Sequence, residues 1–148
     1  MDNVDRKILN QIQSGFPISE RPYNDLGQDL GISENEIIER VKKLKKEKII
    51  RRIGGSLSSQ KLGFTSTLCA ARVPDDKIEI FVEKVNANKG VTHNYLRNND
   101  YNIWFTFIAP APAHIEQAIK EISKKTGVYD ILNMPALKTF KIKVDFDV

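Results

Sequence analysis

The spacing of apolar residues changes once along the chain, near residue 64. Before that point it is helical. Val4, Ile8, Leu9 and Ile12 share one face of a segment running from Asp2 to Gly15, with Asp2 or Asn3 placed to cap it. Phe16-Pro17 opens a loop, and Leu26 and Leu30 mark a short second helix closed by Gly31. Ser33 caps a third helix and Glu36, three residues on, completes a capping-box pattern. Ile37, Ile38, Val41, Leu44 and Ile49 form its buried stripe. Three short helices with a Gly-Ile-Ser turn before the third predict a helix-turn-helix. Ile49 to Ile53 then reads as extended, a wing broken by Gly54-Gly55 and followed by a linker from Ser56 to Gly63.

After residue 64 the rhythm alternates. Thr65 to Val73 reads as a strand, and Pro74-Asp75-Asp76 opens a helix carrying Ile78, Phe81, Val82 and Val85. Val91 to Arg97 and Tyr101 to Ala109 read as strands joined by the polar turn Asn98-Asn99-Asp100. Pro112 starts a helix with Ile115, Ala118, Ile119 and Ile122, stopped by Gly127. The last strand is placed in the tail, where Phe140, Ile142, Val144, Phe146 and Val148 alternate with Lys141, Lys143, Asp145 and Asp147. The expected class is α+β: a winged helix-turn-helix over residues 1–60, then a ferredoxin-like βαββαβ domain over residues 61–148. Two helices cover one face of such a sheet, so the other face calls for a partner chain or a ligand.

Composition narrows the chemistry. Among 148 residues there is one cysteine, Cys69, and two histidines, His93 and His114. That excludes an internal disulfide and a cysteine-based zinc cluster. No apolar run is long enough for a membrane helix, and the acidic start Met1-Asp2-Asn3-Val4-Asp5 lacks the pattern of a signal segment, so a cytoplasmic protein is expected. The net charge is +4, yet residues 40–52 hold eight basic residues against one acid, while residues 1–39 hold three against eight. A basic stretch in an otherwise acidic module is a weak footprint for nucleic acid. The third helix moreover opens on Glu34, Glu36 and Glu39. These acids either favour the helix dipole or face the phosphates a recognition helix would approach. The run from Lys42 to Lys48 lies far along the helix and reads as a solvated face.

The second domain carries the sharper signal. A period-two strand puts His93, Tyr95 and Arg97 on one face. Read without any family, this row is either an exposed polar face or a site for a large, anionic, aromatic ligand. In the second case Arg97 pairs with a carboxylate, His93 donates a proton or ligates iron, and Tyr95 stacks or hydrogen-bonds.

Over its whole length the chain resembles the Lrp/AsnC family. Asp5-Arg6-Lys7-Ile8-Leu9, Asp25-Leu26 before Gly31-Ile32-Ser33, and Arg40-Val41-Lys42-Lys43-Leu44 before Ile49-Ile50 match its pattern. Within that group, His93-Asn94-Tyr95-x-Arg97 followed by Tyr101-Asn102-x-Trp104-Phe105-Thr106 resembles the sirohaem decarboxylases, as do Ile50-Arg51-Arg52-Ile53-Gly54, Lys61-Leu62-Gly63-Phe64 and the ending Phe140 to Phe146. The likeness is to the alpha-type subunit, since the longer hairpin insertion of the beta-type is absent between Arg97 and Tyr101. Asn98-Asn99 stands where some relatives have a histidine.

The resemblance implies a carboxy-lyase that removes carbon dioxide from the acetate groups at positions 12 and 18 of sirohaem, giving 12,18-didecarboxysirohaem in an alternative route of haem biosynthesis. It implies His93, Tyr95 and Arg97 as catalytic residues, with His93 as proton donor or iron ligand. It implies Arg51, Arg52, Tyr101 and Trp104 as substrate-binding groups, although Trp104 and Phe105 are equally readable as core. His114 reads as a surface residue. No cofactor is expected beyond the iron tetrapyrrole itself, and a paralogous subunit is the expected partner, with weak or no DNA binding. The competing reading is an Lrp/AsnC-type DNA-binding regulator, and a third is a haem sensor or carrier without chemistry.

Overall fold

The computed structural model of the chain describes residues 1–142 and 144–148. It divides into two compact units, Met1–Gly55 with Lys141–Val148, and Ser56–Phe140. No helix among the described residues is long and apolar enough to cross a membrane.

The first unit is a trihelical helix-turn-helix: α1 (Asn3–Gly15), α2 (Pro22–Leu30) and α3 (Glu34–Lys46). Ile8, Leu26, Ile37 and Leu44 are fully buried at its centre. Asp2 caps α1 by accepting from the Val4 and Asp5 amides, and Asp5 returns the bond to the Asp2 amide. The turn between α2 and α3 depends on two glycines. Gly31 sits at φ +72°, a left-handed conformation costly for other residues. A Cβ on Gly27 would stand 2.5 Å from the Ile32 carbonyl oxygen, so only glycine lets α2 approach that turn.

The capping box expected at Ser33 forms only half. Ser33 Oγ accepts from the Glu36 amide at 3.2 Å, but the Glu36 carboxylate turns to Arg40 Nε at 2.9 Å. A guanidinium offers a charged donor where the Ser33 amide offers a neutral one, so the ion pair wins. Arg40 also binds Asp2 at 2.8 Å and the buried Asp5 at 2.9 Å, bolting the start of α1 to α3. The segment after α3 forms no strand, so the expected wing has no sheet partner among the described residues.

This bolt predicts acid lability. Arg40 and the Asp5 amide hold the Asp2 carboxyl down from the usual 3.8 to about 2. Burial pushes Asp5 upward, but the Asp2 amide and Arg40 outweigh it and leave Asp5 below its ordinary value. The unfolded chain therefore binds protons at a higher pH than the folded one, and acid favours unfolding. Stability contributed by the bolt should be complete above about pH 4 and lost as pH falls toward 2. Far-ultraviolet circular dichroism across that range checks this. Arg40→Met should lower the unfolding midpoint at neutral pH and flatten its acid dependence; an unchanged acid profile would contradict the bolt.

The second unit has the expected βαββαβ order: β1 (Thr65–Ala71), α4 (Ile78–Asn86), β2 (Val91–Leu96), β3 (Ile103–Ala109), α5 (Pro112–Thr126) and β4 (Ile131–Pro135). The sheet is antiparallel with order β2-β3-β1-β4. On its inner face Cys69, Ala71, Ile103, Phe105 and Phe107 pack with Phe81 and Val85 of α4 and Ile115 and Ile122 of α5. Phe81 and Phe105 meet edge to face at 6.3 Å, so Phe105 belongs to the core.

The fourth strand lies elsewhere than the tail. It is Ile131–Pro135, paired with β1, and the alternating tail from Lys138 forms no strand among the described residues. Ile131-Leu132-Asn133-Met134 hides its strand character because apolar residues fall on both of its faces without alternating, whereas the tail alternates cleanly but lacks a neighbouring strand. Tail residues instead bind α1 side chains. Gln13 exchanges two hydrogen bonds with the Phe146 backbone, both at 2.7 Å, and Asn10 exchanges two with Val148 at 3.0 and 3.3 Å. Lys143, counted in the alternation, lies outside the described residues.

Candidate active site

The outer face of the sheet, opposite α4 and α5, is built by register. His93 stands across from Thr106 and Tyr95 across from Trp104. Leu68 pairs with Thr106 on one side and with Met134 on the other, and Ala70 with Trp104 and Leu132. The face is therefore polar and aromatic at the β2 edge and aliphatic toward β4. A bulge between Val91 and His93 resets the alternation at Thr92. It leaves His93 and Tyr95 outward while Asn94 turns in, where its amide donates to Asn86 Oδ1 at 2.9 Å and ties β2 to α4.

The expected row is assembled. The His93 and Tyr95 rings are stacked, 6.1 Å between centroids and 21° between planes. The Arg97 guanidinium lies 5.6 Å from the Tyr95 ring and 5.9 Å from the Trp104 ring, which places it at cation–π distance from both. Tyr95 is half-exposed and Trp104 partly buried on the same face, so Trp104 lies on the outer face of the sheet rather than in the core. His93 Nδ1 lies 3.1 Å from Thr92 Oγ1, leaving Nε2 for a ligand. A planar anion laid on this face would meet an imidazole, a phenol, an indole and a guanidinium within one strand pair.

Tyr101 is placed differently. Its hydroxyl donates to Asp130 Oδ1 at 2.9 Å, and its ring lies 5.2 Å from the Arg72 guanidinium. The Asp130 bond holds its phenol above the ordinary pKa and keeps it protonated. Arg51 and Arg52 belong to the helical unit, where they line a groove of about 700 Å³ with Leu9, Ile12, Phe16 and Ile53. His114 is exposed on α5, as expected. Cys69 is buried in the sheet, and burial pushes its thiol up to about 12, which removes it as a nucleophile.

Arg72, Asp130 and the double role of Asn102 carry no signal in the sequence. The Asn102 side chain accepts from the Val73 amide at 2.9 Å and donates to the Val73 carbonyl at 2.8 Å, while its own carbonyl accepts from the Arg97 amide at 2.7 Å. The motif Tyr101-Asn102 is legible; its partners sit in loops without periodicity.

The N-terminal end of α3 is acidic, and its acids are paired. Glu34 bonds Arg21, Glu36 bonds Arg40, and Glu39 meets Lys42 at 2.8 Å. Base contacts come from this end of a recognition helix. Fluorescence anisotropy at moderate salt should therefore find duplex binding weaker than about 10⁻⁸ M, the range of specific operators. Tighter, sequence-specific binding would restore the regulator reading.

Comparison with known proteins agrees with both units. Residues 5–51 match the siroheme decarboxylase NirDL-like HTH domain, and residues 61–141 match the AsnC-like ligand binding domain. The chain is 58% identical over 146 residues to the siroheme decarboxylase alpha subunit of Desulfovibrio desulfuricans, covering 99% of this chain and 84% of that one. With the alpha subunit of Nitratidesulfovibrio vulgaris it is 54% identical, covering 99% and 82%. The crystal structure of the siroheme decarboxylase NirDL in complex with an iron-uroporphyrin III analogue superposes with a TM-score of 0.74 at 32% identity, over 96% of this chain and 48% of that one. From these matches and the geometry above, the chain belongs to the siroheme decarboxylase family, on the side of its alpha subunits.

Proposed function

We propose that this chain is a subunit that binds sirohaem on the outer sheet face and takes part in removing the carboxyl groups of its acetates at positions 12 and 18. The observation that carries the reading is the row His93, Tyr95 and Arg97, with Arg97 set over both Tyr95 and Trp104.

The chemistry balances without an oxidant. Each step converts a ring-bound CH₂–COO⁻ and a proton into CH₃ and carbon dioxide. The carbon–carbon bond breaks, its electron pair passes to the methylene carbon and is spread over the macrocycle, and a proton then quenches it. The iron is part of the substrate. What the protein must supply is a proton donor close to one rim and cations that hold the carboxylates not reacting. His93 Nε2 fits the first task, with its ring braced between Thr92 and Tyr95. Arg97 fits the second, because a guanidinium pairs with a carboxylate through two parallel bonds. Trp104 and Tyr95 wall the macrocycle in this reading.

A second, paralogous subunit completes the site. The aliphatic part of the outer face, with Leu68 and Leu132 about 40% exposed, is suited to cover by another chain. This chain spans 48% of the length of the NirDL chain it superposes on.

Titrating sirohaem into the purified chain under anaerobic conditions tests the site. A saturable change in the visible spectrum, together with quenching of Trp104 emission, is expected. A spectrum identical to that of free sirohaem at every ratio would count against the outer face as the site.

A further inference from the structure

Two groups important to the outer face, the Trp104 indole and the Arg97 backbone, are held by consecutive carbonyls. Trp104 Nε1 donates to the Tyr101 carbonyl at 2.6 Å, and the Arg97 amide donates to the Asn102 carbonyl at 2.7 Å. Residues 101 and 102 are in turn fixed by their side chains. Asn102 clips Val73 through its side-chain amide. Tyr101 is held at both ends, its hydroxyl by Asp130 and its ring by Arg72.

Arg72 and Asp130 brace each other. The Arg72 amide donates to the Asp130 carbonyl at 3.0 Å, and Arg72 Nε lies 3.4 Å from Asp130 Oδ2. Asp100 approaches the same guanidinium at 4.0 Å. Arg72 leaves β1, Asp130 enters β4 and Tyr101 enters β3, so the cluster closes three strand ends at once.

We propose that Arg72, Asp130 and Tyr101 form a positioning clamp that sets Trp104, and through it the Arg97 guanidinium, for binding the peripheral carboxylate of a tetrapyrrole. In this proposal Tyr101, expected as a substrate-binding group, acts with Arg72 and Asp130 from behind the ligand face rather than by contact. Tyr101 has spent its hydroxyl on Asp130, and Arg72 has spent its charge on Asp130 and the Tyr101 ring. Their effect passes through a peptide carbonyl to an indole that forms one wall beside Arg97. This assignment rests on the tetrapyrrole reading of the outer face.

Trp104 is the chain's single tryptophan, so its emission reports the clamp directly. The test uses the full-length chain with Tyr101→Phe, Asp130→Asn and Asp130→Glu, each alone and combined with Arg97→Ala. Three quantities are read: sirohaem affinity, acrylamide quenching of Trp104 in the free protein, and the melting midpoint. Tyr101→Phe and Asp130→Asn should each weaken sirohaem about tenfold, a coupling typical of residues in one network. Quenching of Trp104 should rise in both, and Asp130→Glu, which keeps the acceptor, should recover part of each effect. In the Arg97→Ala background the same changes should alter affinity less than about twofold, because the group they position is gone.

A purely structural role would lower melting and cost the same affinity in either background, and that additivity would overturn the clamp. So would wild-type affinity in both Tyr101→Phe and Asp130→Asn. If Asp130→Asn melts below the assay temperature, the milder Tyr101→Phe decides. A wild-type chain that binds no sirohaem overturns the functional reading and the clamp's role with it, whereas binding that is indifferent to the variants overturns the clamp alone.

Discussion

Replacing His93 by alanine should slow decarboxylation by the two-subunit complex about 10²–10⁴-fold, the usual worth of a positioned proton donor, while sirohaem affinity changes little. The reason is the order of the chemistry. Loss of carbon dioxide leaves an electron pair on a ring-bound methylene, and turnover waits until a proton reaches that carbon. His93 stands on the outer face with Nδ1 beside Thr92 and its ring stacked on Tyr95, so Nε2 is the nitrogen proposed to meet the ligand. Removing it takes away the donor and leaves the walls in place. Should Nε2 instead ligate the iron, the variant's bound spectrum changes together with its rate. Following spectrum and product in the same titration separates the two roles. Unchanged binding, spectrum and rate would remove His93 from the site and move the chemistry to the partner subunit.

Arg97→Ala should act on binding. Its guanidinium lies over Tyr95 and Trp104, where the rings restrict it before a ligand arrives. A carboxylate that pairs with a group already oriented loses little side-chain entropy on binding. Deleting the charge should weaken sirohaem about 10- to 100-fold, as expected for one charge-assisted bidentate pair, with a smaller effect on turnover at saturation. Arg97→Lys should recover only part of the affinity, because a lysine keeps the charge but neither the planar fork nor the stacking. Equal affinity in wild type and Arg97→Ala would show that the anchor lies elsewhere.

Much of this molecule is legible in its sequence. The helix-turn-helix follows from caps and spacing, and Asp2, the residue that caps α1, is one of the two the pattern offers. The βαββαβ order follows from alternation, and the bulge at Thr92 does not disturb the row because it precedes His93. What is not legible depends on partners distant in sequence. Trp104 and Phe105 are adjacent and equally apolar, and only the register across β1 and β3 sends one outward and the other against Phe81. Asp130 gains its role only with β4 at Ile131–Pro135. A last strand placed in the tail brings nothing at residue 130 beside Arg72 and Tyr101. Glu36 likewise fits a capping box locally, but Arg40 one turn ahead is the stronger partner.

The tail marks the limit of period-two reasoning. Phe140, Ile142, Val144 and Phe146 alternate as a half-buried strand should, yet all four are exposed. Alternation specifies two faces; whether a strand forms depends on a neighbour with free backbone groups. Here Asn10 and Gln13 supply side-chain amides in place of that neighbour for residues 146 and 148.

Decarboxylation of a tetrapyrrole held against His93 and Arg97 is the central claim. The most direct measurement is anaerobic incubation of sirohaem with the chain and the proposed paralogous subunit, separately and together, followed by mass spectrometry of the recovered tetrapyrrole. The expected result is a product lighter by two carbon dioxide units from the complex, little conversion by this chain alone, and loss of that product when the complex carries His93→Ala. Sirohaem recovered at its starting mass from the intact complex would contradict the claim.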